Sequence, residues 1–256
     1  MTTPHLVADT LCHKGIVHGF FGRQGGVSDG PFDSLNCALT TGDRMEDIGE
    51  NRRRVADTLG VALMASAFQV HGNAVVEVTE PWAMDVRPKA DGMVTRVPGL
   101  ALGILTADCG PLLFADAEAG VVGAAHAGWR GANLGIAEAT VEAMTKLGAD
   151  PSRIDAALGP CIGQASYEVG PEFPGPFLAE DPGHARFFKP GVREGRHMFD
   201  LQGYIVNRLE KLGLKSVTSL GRDTCAEADR FFSYRRTCLA GEKKFGCEVS
   251  AIAIRS

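Results

Sequence analysis

The sequence predicts an α+β fold, a compact unit of mixed β-sheets flanked by helices, and three observations lead there. Short apolar runs bounded by glycine and turn residues recur along the chain. Stretches with apolar residues at helical spacing break in between them without the strict alternation of a doubly wound sheet. No repeat, low-complexity tract or linker divides the 256 residues. The Pro/Gly-rich stretch 170–195 reads as a long surface excursion. The expected organisation is therefore a single catalytic domain over residues 1–256, a length that buries roughly three-quarters of the extended chain's surface.

The elements follow in order. Gly22-Arg23-Gln24-Gly25-Gly26-Val27-Ser28 is a turn sequence. Residues 45–59 read as a helix with Ile48, Val55 and Leu59 inward and Gly60 as its stop. Strand-type runs come at 67–70, 75–78 and 100–105, with a further apolar run at 121–125 bounded by glycines. Residues 134–147 carry apolar residues at helical spacing up to Gly148, and Asp150-Pro151 supplies a cap and a first-turn proline for a short helix. Further strands are expected near 156–158, at 217–220 and at 249–254, with a helix over 200–212. The run Arg230-Phe231-Phe232-Ser233-Tyr234-Arg235-Arg236 reads as an edge strand with one face in the core.

Composition excludes several function classes. The hydrophobic share of 45% and charged share of 22% are those of an ordinary globular protein, and a net charge of −5 leaves no broad basic surface for nucleic acid. No apolar stretch approaches the ~18 residues that span a bilayer, and the start has no basic cluster followed by an apolar run. A cytoplasmic monomer acting on small molecules is the expectation. Seven cysteines, odd in number and without a Cys-x-x-Cys pair, point to buried thiols rather than a disulfide framework.

Three segments place a metal-competent or nucleophilic side chain where an apolar run meets a glycine turn: Gln69-Val70-His71-Gly72, Thr106-Ala107-Asp108-Cys109-Gly110-Pro111 and His126-Ala127-Gly128-Trp129-Arg130-Gly131. Glycine at such a point lets backbone approach a ligand closely. His71, Cys109 and His126 would form a three-ligand zinc site of the catalytic kind, with the fourth position open. The same residues support a metal-free alternative, with Cys109 as thiolate nucleophile, His126 as its base and Asp108 orienting the histidine or holding substrate. Arg130, at a turn leading into a helix, and Arg23, among glycines, are candidate contacts for an anion such as phosphate.

Taken together, the motifs resemble the YfiH-type family, also called the laccase-domain or polyphenol-oxidase-like family of purine nucleoside phosphorylases. The resemblance runs from about His18 to Ile254 and rests on Gly25-Gly26-Val27-Ser28, Ser34-Leu35-Asn36, Gly42-Asp43, Asn51-Arg52, the three segments above, Gly159-Pro160-Cys161-Ile162, Tyr167-Glu168-Val169 and Phe232-Ser233-Tyr234-Arg235-Arg236. It implies a zinc on His71, Cys109 and His126 and a fold related to a bacterial toxin deamidase domain that uses a Cys-His pair; Asn36 joins Arg23 and Arg130 as a candidate substrate contact. Two positions depart from the family pattern: Gly110 stands where a larger apolar residue often follows the cysteine, and Asp223-Thr224-Cys225 is a variant of a late Cys/Thr turn.

The activities that the resemblance implies are phosphorolysis of adenosine, inosine and methylthioadenosine, deamination of adenosine, copper-dependent oxidation of phenols, and removal of L-serine from UDP-N-acetylmuramoyl-L-serine in peptidoglycan precursor editing. A multicopper oxidase needs about ten histidines, many in His-x-His pairs, whereas this chain has seven and no such pair. Phenol oxidation would have to come from one Cu(2+) in the same site. A zinc-dependent nucleoside enzyme, with Asp108 as proton carrier and phosphate as second substrate, is the reading carried forward. The amide hydrolase and the metal-free cysteine hydrolase are its alternatives.

Overall fold

The computed structural model describes residues 2–83 and 86–256. In chain order the strands are β1 (His5–Leu6), β2 (Ile16–Phe21), β3 (Leu63–Ala65), β4 (Val75–Glu77), β5 (Gly92–Thr95), β6 (Leu100–Thr106) and β7 (Gly110–Asp116). They continue with β8 (Val121–Ala127), β9 (Asp155–Leu158), β10 (Glu168–Val169), β11 (Phe188–Pro190), β12 (His197–Phe199), β13 (Ser216–Ser219) and β14 (Glu248–Ile254). The helices are α1 (Met45–Leu59), α2 (Trp129–Asn133), α3 (Ile136–Lys146), α4 (Gly175–Glu180), α5 (Leu201–Glu210) and α6 (Tyr234–Leu239).

Two mixed sheets stack face to face between helices, so the α+β expectation holds. One runs β1-β2-β14-β6-β3 and the other β13-β9-β7-β8-β5-β4. The period of two along each strand divides its side chains between layers. Leu113 and Ala115 of β7 meet Phe20, Leu102 and Ile104 between the sheets, while Leu112 and Phe114 turn outward beneath Ile136, Val141 and Met144 of α3 and Ile205 of α5. On the far side, Val17, Phe21 and Ala251 pack against Val55, Ala56 and Leu59 of α1. Gly60 ends α1 at φ +69°, the left-handed conformation the sequence pattern called for.

The structure corrects three expectations. The run 67–70 forms only an isolated bridge from Phe68 to Lys89, because the amides of Val70, His71 and Gly72 turn to a side-chain carboxylate instead of a strand. The stretch 170–195 is not a surface excursion: it holds α4, a 3-10 helix over Pro182–Phe187 and β11, and buries Phe177 and Phe187 in an aromatic cluster with Phe173, Phe188, Phe199 and Tyr204. Residues 230–236 are not an edge strand, since Ser233 caps α6 by accepting from the Arg236 amide while Phe231 and Phe232 lie buried. Strand β2 escapes a pattern search because burial of all six residues removes the polar–apolar alternation and His18-Gly19 interrupts its apolar run.

The departure at Gly110 has a packing reason. A Cβ there would stand 2.8 Å from Ile205 Cδ1 and 2.9 Å from Leu158 Cδ1, so α5 seats directly on the start of β7.

Candidate metal centre

The β7–β8 hairpin sets two of the three donors. Pro111 pairs with His126 and Gly110 with Ala127, which brings Cys109, at the mouth of β7, beside the last turn of β8. His71 comes from the loop after the Phe68 bridge, at φ +59°. Its ring meets that of His126 edge-on, with centroids 4.7 Å apart and planes at 81°. His71 Nε2 lies 3.9 Å from Cys109 Sγ, and the donor atoms of His71, Cys109 and His126 all fall within 4.8 Å of one another. Tetrahedral zinc with Zn–S near 2.3 Å and Zn–N near 2.0 Å separates such donors by ~3.5 Å, close to this spacing.

The cluster grades from exposed His71 through half-buried Cys109 to buried His126, so one side opens to solvent. Gly128 leaves it room: a Cβ there would press within 2.9 Å of Cys109 Sγ and 3.0 Å of His71 Cδ2. Among the described residues this is the one group of three or more His, Cys, Asp or Glu side chains able to share an ion. Its donor set of two imidazoles and a thiol fits a borderline-soft divalent metal with an open position.

Asp91, which the sequence reading did not single out, organises the cluster. It is buried at the head of β5 and accepts from the Val70, His71 and Gly72 amides and from His126 Nδ1 at 2.8 Å. One carboxylate thus fixes the loop that carries His71 and the tautomer that frees His126 Nε2 as a donor atom, an arrangement that commonly orients metal-binding histidines. Burial would raise Asp91, yet the bonds from His126, Gly72 and Val70 hold it below the usual carboxylate range.

Charge in the cluster is mutually supported. Burial would raise the Cys109 thiol, but the imidazoles of His126 and His71 outweigh it and bring it down to about 6. Burial would lower His126, but the Cys109 sulfur and Asp91 push it up to about 9. Cys161 and Cys247, by contrast, are raised by burial, which suits inert packing thiols.

Of the remaining expected site residues, Asp108 lines a cavity at the cluster, and Asn36, Arg23 and Arg130 line neither cavity there. Asp108 sits next to Cys109 at φ +87°, but its oxygens accept from Thr224 Oγ1 (2.6 Å), Ser233 Oγ (2.9 Å) and the Arg235 amide (2.6 Å). That bonding pins the loop before α6 and explains the threonine of the variant 223–225 turn. Asn36 is fully buried and bonded to Thr41, Asp43 and the Ala38 and Cys247 amides. Arg23 donates to the Asp33 and Ala228 carbonyls and lies over Phe232, lining a separate groove. Arg130 is exposed and lies over Trp129.

Two cavities flank the cluster and share His71, Ala107, Cys109 and Tyr234. One, of about 420 Å³, is lined by Phe68, Gln69, Leu105, His126 and Phe245. The other, of about 410 Å³, is lined by Asp108, Trp129, Ile162, Tyr167 and Arg235. Both sizes suit a small-molecule site.

Residues 17–255 match the family model described as multi-copper polyphenol oxidoreductase laccase. The chain belongs to this laccase-domain family. A Deinococcus radiodurans relative named purine nucleoside phosphorylase is 43% identical over 241 residues, covering 92% of this chain and 90% of that protein. The Escherichia coli protein named purine nucleoside phosphorylase YfiH is 36% identical over 231 residues, covering 89% and 91%. In structure, a Neisseria meningitidis DUF152 protein superposes with a TM-score of 0.88 at 33% identity over 98% of this chain and 99% of that one. Bacillus licheniformis YfiH gives 0.86 at 31% identity, over 94% and 93%. The several coppers of the family description contrast with the single three-donor cluster among the described residues of this laccase-domain chain.

Proposed function

We propose that the chain is a zinc-dependent purine nucleoside phosphorylase, and that adenosine deamination and methylthioadenosine phosphorolysis are further reactions of the same site. The observation that carries this reading is the His71-Cys109-His126 cluster, open on one side and flanked by two cavities, in a chain 43% identical to a relative named for that activity. In phosphorolysis an oxygen of phosphate bonds to the ribose C1′ as the C1′–N9 bond breaks. The electron pair leaves with the base, which takes up a proton, and ribose 1-phosphate remains.

Zinc, when bound, supplies Lewis-acid polarisation between the cavities. The chain's own groups do the rest. Asp91 keeps the His126 Nδ1–H pointed at itself and the His71 loop closed. Gln69 braces the cavity wall by exchanging two hydrogen bonds with the Leu105 backbone, at 2.7 and 2.9 Å. Phe68 and Phe245 give one cavity the aromatic surface a purine needs.

Cys109→Ala is expected to abolish bound zinc and phosphate-dependent loss of inosine together while leaving the unfolding transition in place. Full zinc occupancy in that variant would refute the ligand assignment. A second reading has its own support: Cys109, His126 and Asp91 also stand in the order nucleophile, base and orienting acid. A protein freed of metal yet fully active, and inactivated by thiol alkylation, would favour that reading.

A further inference from the structure

We infer that Arg235 forms the binding site for inorganic phosphate, in the cavity opposite the one that takes the purine, and that the two substrates meet across the His71-Cys109-His126 cluster. This rests on the phosphorylase reading and goes beyond it by assigning each substrate a side.

Arg235 lines the 410 Å³ cavity together with His71 and Cys109. Its guanidinium lies 5.3 Å from the centroid of the Tyr167 ring, half-buried. Among the described residues no carboxylate stands within ion-pair distance of it. The nearest acid in the cavity, Asp108, has both oxygens occupied, and it accepts from the Arg235 backbone amide, not its side chain. In a chain of net charge −5, an arginine held over an aromatic ring, facing a cavity and with no carboxylate in contact with its guanidinium, offers its fork to an anion.

Among the other arginines, Arg87 lines the opposite cavity and lies over Phe68, and Arg130 lies over Trp129 outside both cavities. Arg23 and Arg236 donate to backbone carbonyls, Arg153 and Arg208 to carboxylates, and none of the four lines either cavity at the cluster. Phosphate fits the guanidinium fork better than a single charge alone requires, because two parallel N–H groups can reach two of its oxygens. The opposite cavity combines apolar walls from Phe68, Leu105 and Phe245 with Arg87 stacked over Phe68, a surface on which a purine base can lie. Tyr167 stays a neutral phenol, raised by its burial, so the wall beneath Arg235 adds no charge of its own.

The test is calorimetric titration of zinc-loaded protein with inorganic phosphate, beside steady-state KM values for phosphate and inosine. Arg235→Gln is expected to weaken phosphate binding by roughly 10- to 100-fold and to raise the phosphate KM in step, with the inosine KM held within about twofold. Arg235→Lys, keeping the charge without the fork, should fall between. An unchanged inosine KM shows that the variant is folded. Undiminished phosphate binding in Arg235→Gln, or an equal loss in Arg130→Gln or Arg23→Gln, would overturn the assignment. Phosphate that binds through Arg235 in a protein without phosphate-dependent turnover would keep the site and defeat the phosphorylase reading instead.

Discussion

Asp91 answers four donors with two oxygens, and that makes it the residue on which the cluster's geometry depends. Asp91→Asn keeps the volume but loses the charge and half the accepting capacity. Zinc affinity, measured by competition with a chromogenic chelator, is expected to fall about 10- to 100-fold. Unchanged affinity would reduce Asp91 to a loop anchor. His18 offers a second residue-scale case, remote from the cluster. It is buried in β2, with Nε2 accepting from the Ala8 amide at 2.9 Å. Burial first, then His5 and His13, bring its pKa down to about 4, whereas in the unfolded chain it titrates near ~6.5. Between these values the unfolded state holds the extra proton, so His18's contribution is complete above about 6.5 and is lost as the pH falls toward 4, amounting to about 3 kcal/mol. His18→Gln, which can accept the same bond, should flatten this part of the stability–pH curve in urea titrations at pH 5 and 7. A curve as steep as that of the unsubstituted protein would exclude His18 as its source.

At the scale of elements, α1 holds the loop that precedes it through Asn51. That side chain is fully buried, accepts from the Val27 amide, and donates to Ser28 Oγ and the Ser34 and Asn36 carbonyls. Asn51→Ala leaves several buried groups unpaired and is expected to destabilise by about 3 kcal/mol, read as a drop in denaturant midpoint at constant m-value. A loss below 1 kcal/mol would mean water replaces the side chain. The glycine and asparagine motifs of residues 22–51 were visible in the sequence, but their job was not. Asn36 looks like a ligand contact until its partners are known, because a polar side chain in a motif carries no mark of the direction it faces. The three donors were legible for a physical reason: His71, Cys109 and His126 each stand where an apolar run breaks at glycine. Asp91 gave no comparable signal, since Ala90-Asp91-Gly92 reads as an ordinary turn. Arg235 was hidden by the aromatic run that looked like an edge strand and is the start of α6.

For the whole molecule, the doubled sheet explains what pattern reading could and could not reach. Strands β2, β5 and β7 are buried throughout and lack polar–apolar alternation, whereas β8, equally buried, is legible as an apolar run bounded by glycines. Fold class survived because it needed only the mixture and order of elements. The β7 and β8 side chains contribute to the layer between the sheets and to the layer beneath α3 and α5, which couples those two cores. One calorimetric unfolding transition, with van't Hoff and calorimetric enthalpies equal, is therefore expected from the metal-free chain. Two resolved transitions would contradict the single-domain reading.

The most direct test of the central proposal is the metal content of the purified protein by mass spectrometry, joined to phosphate-dependent cleavage of inosine before chelation, after it, and after zinc is returned. About one zinc per chain, with activity lost on chelation and restored by zinc, is the expected result. Full activity in a chain stripped of metal would contradict it and turn Cys109 from a ligand into a nucleophile.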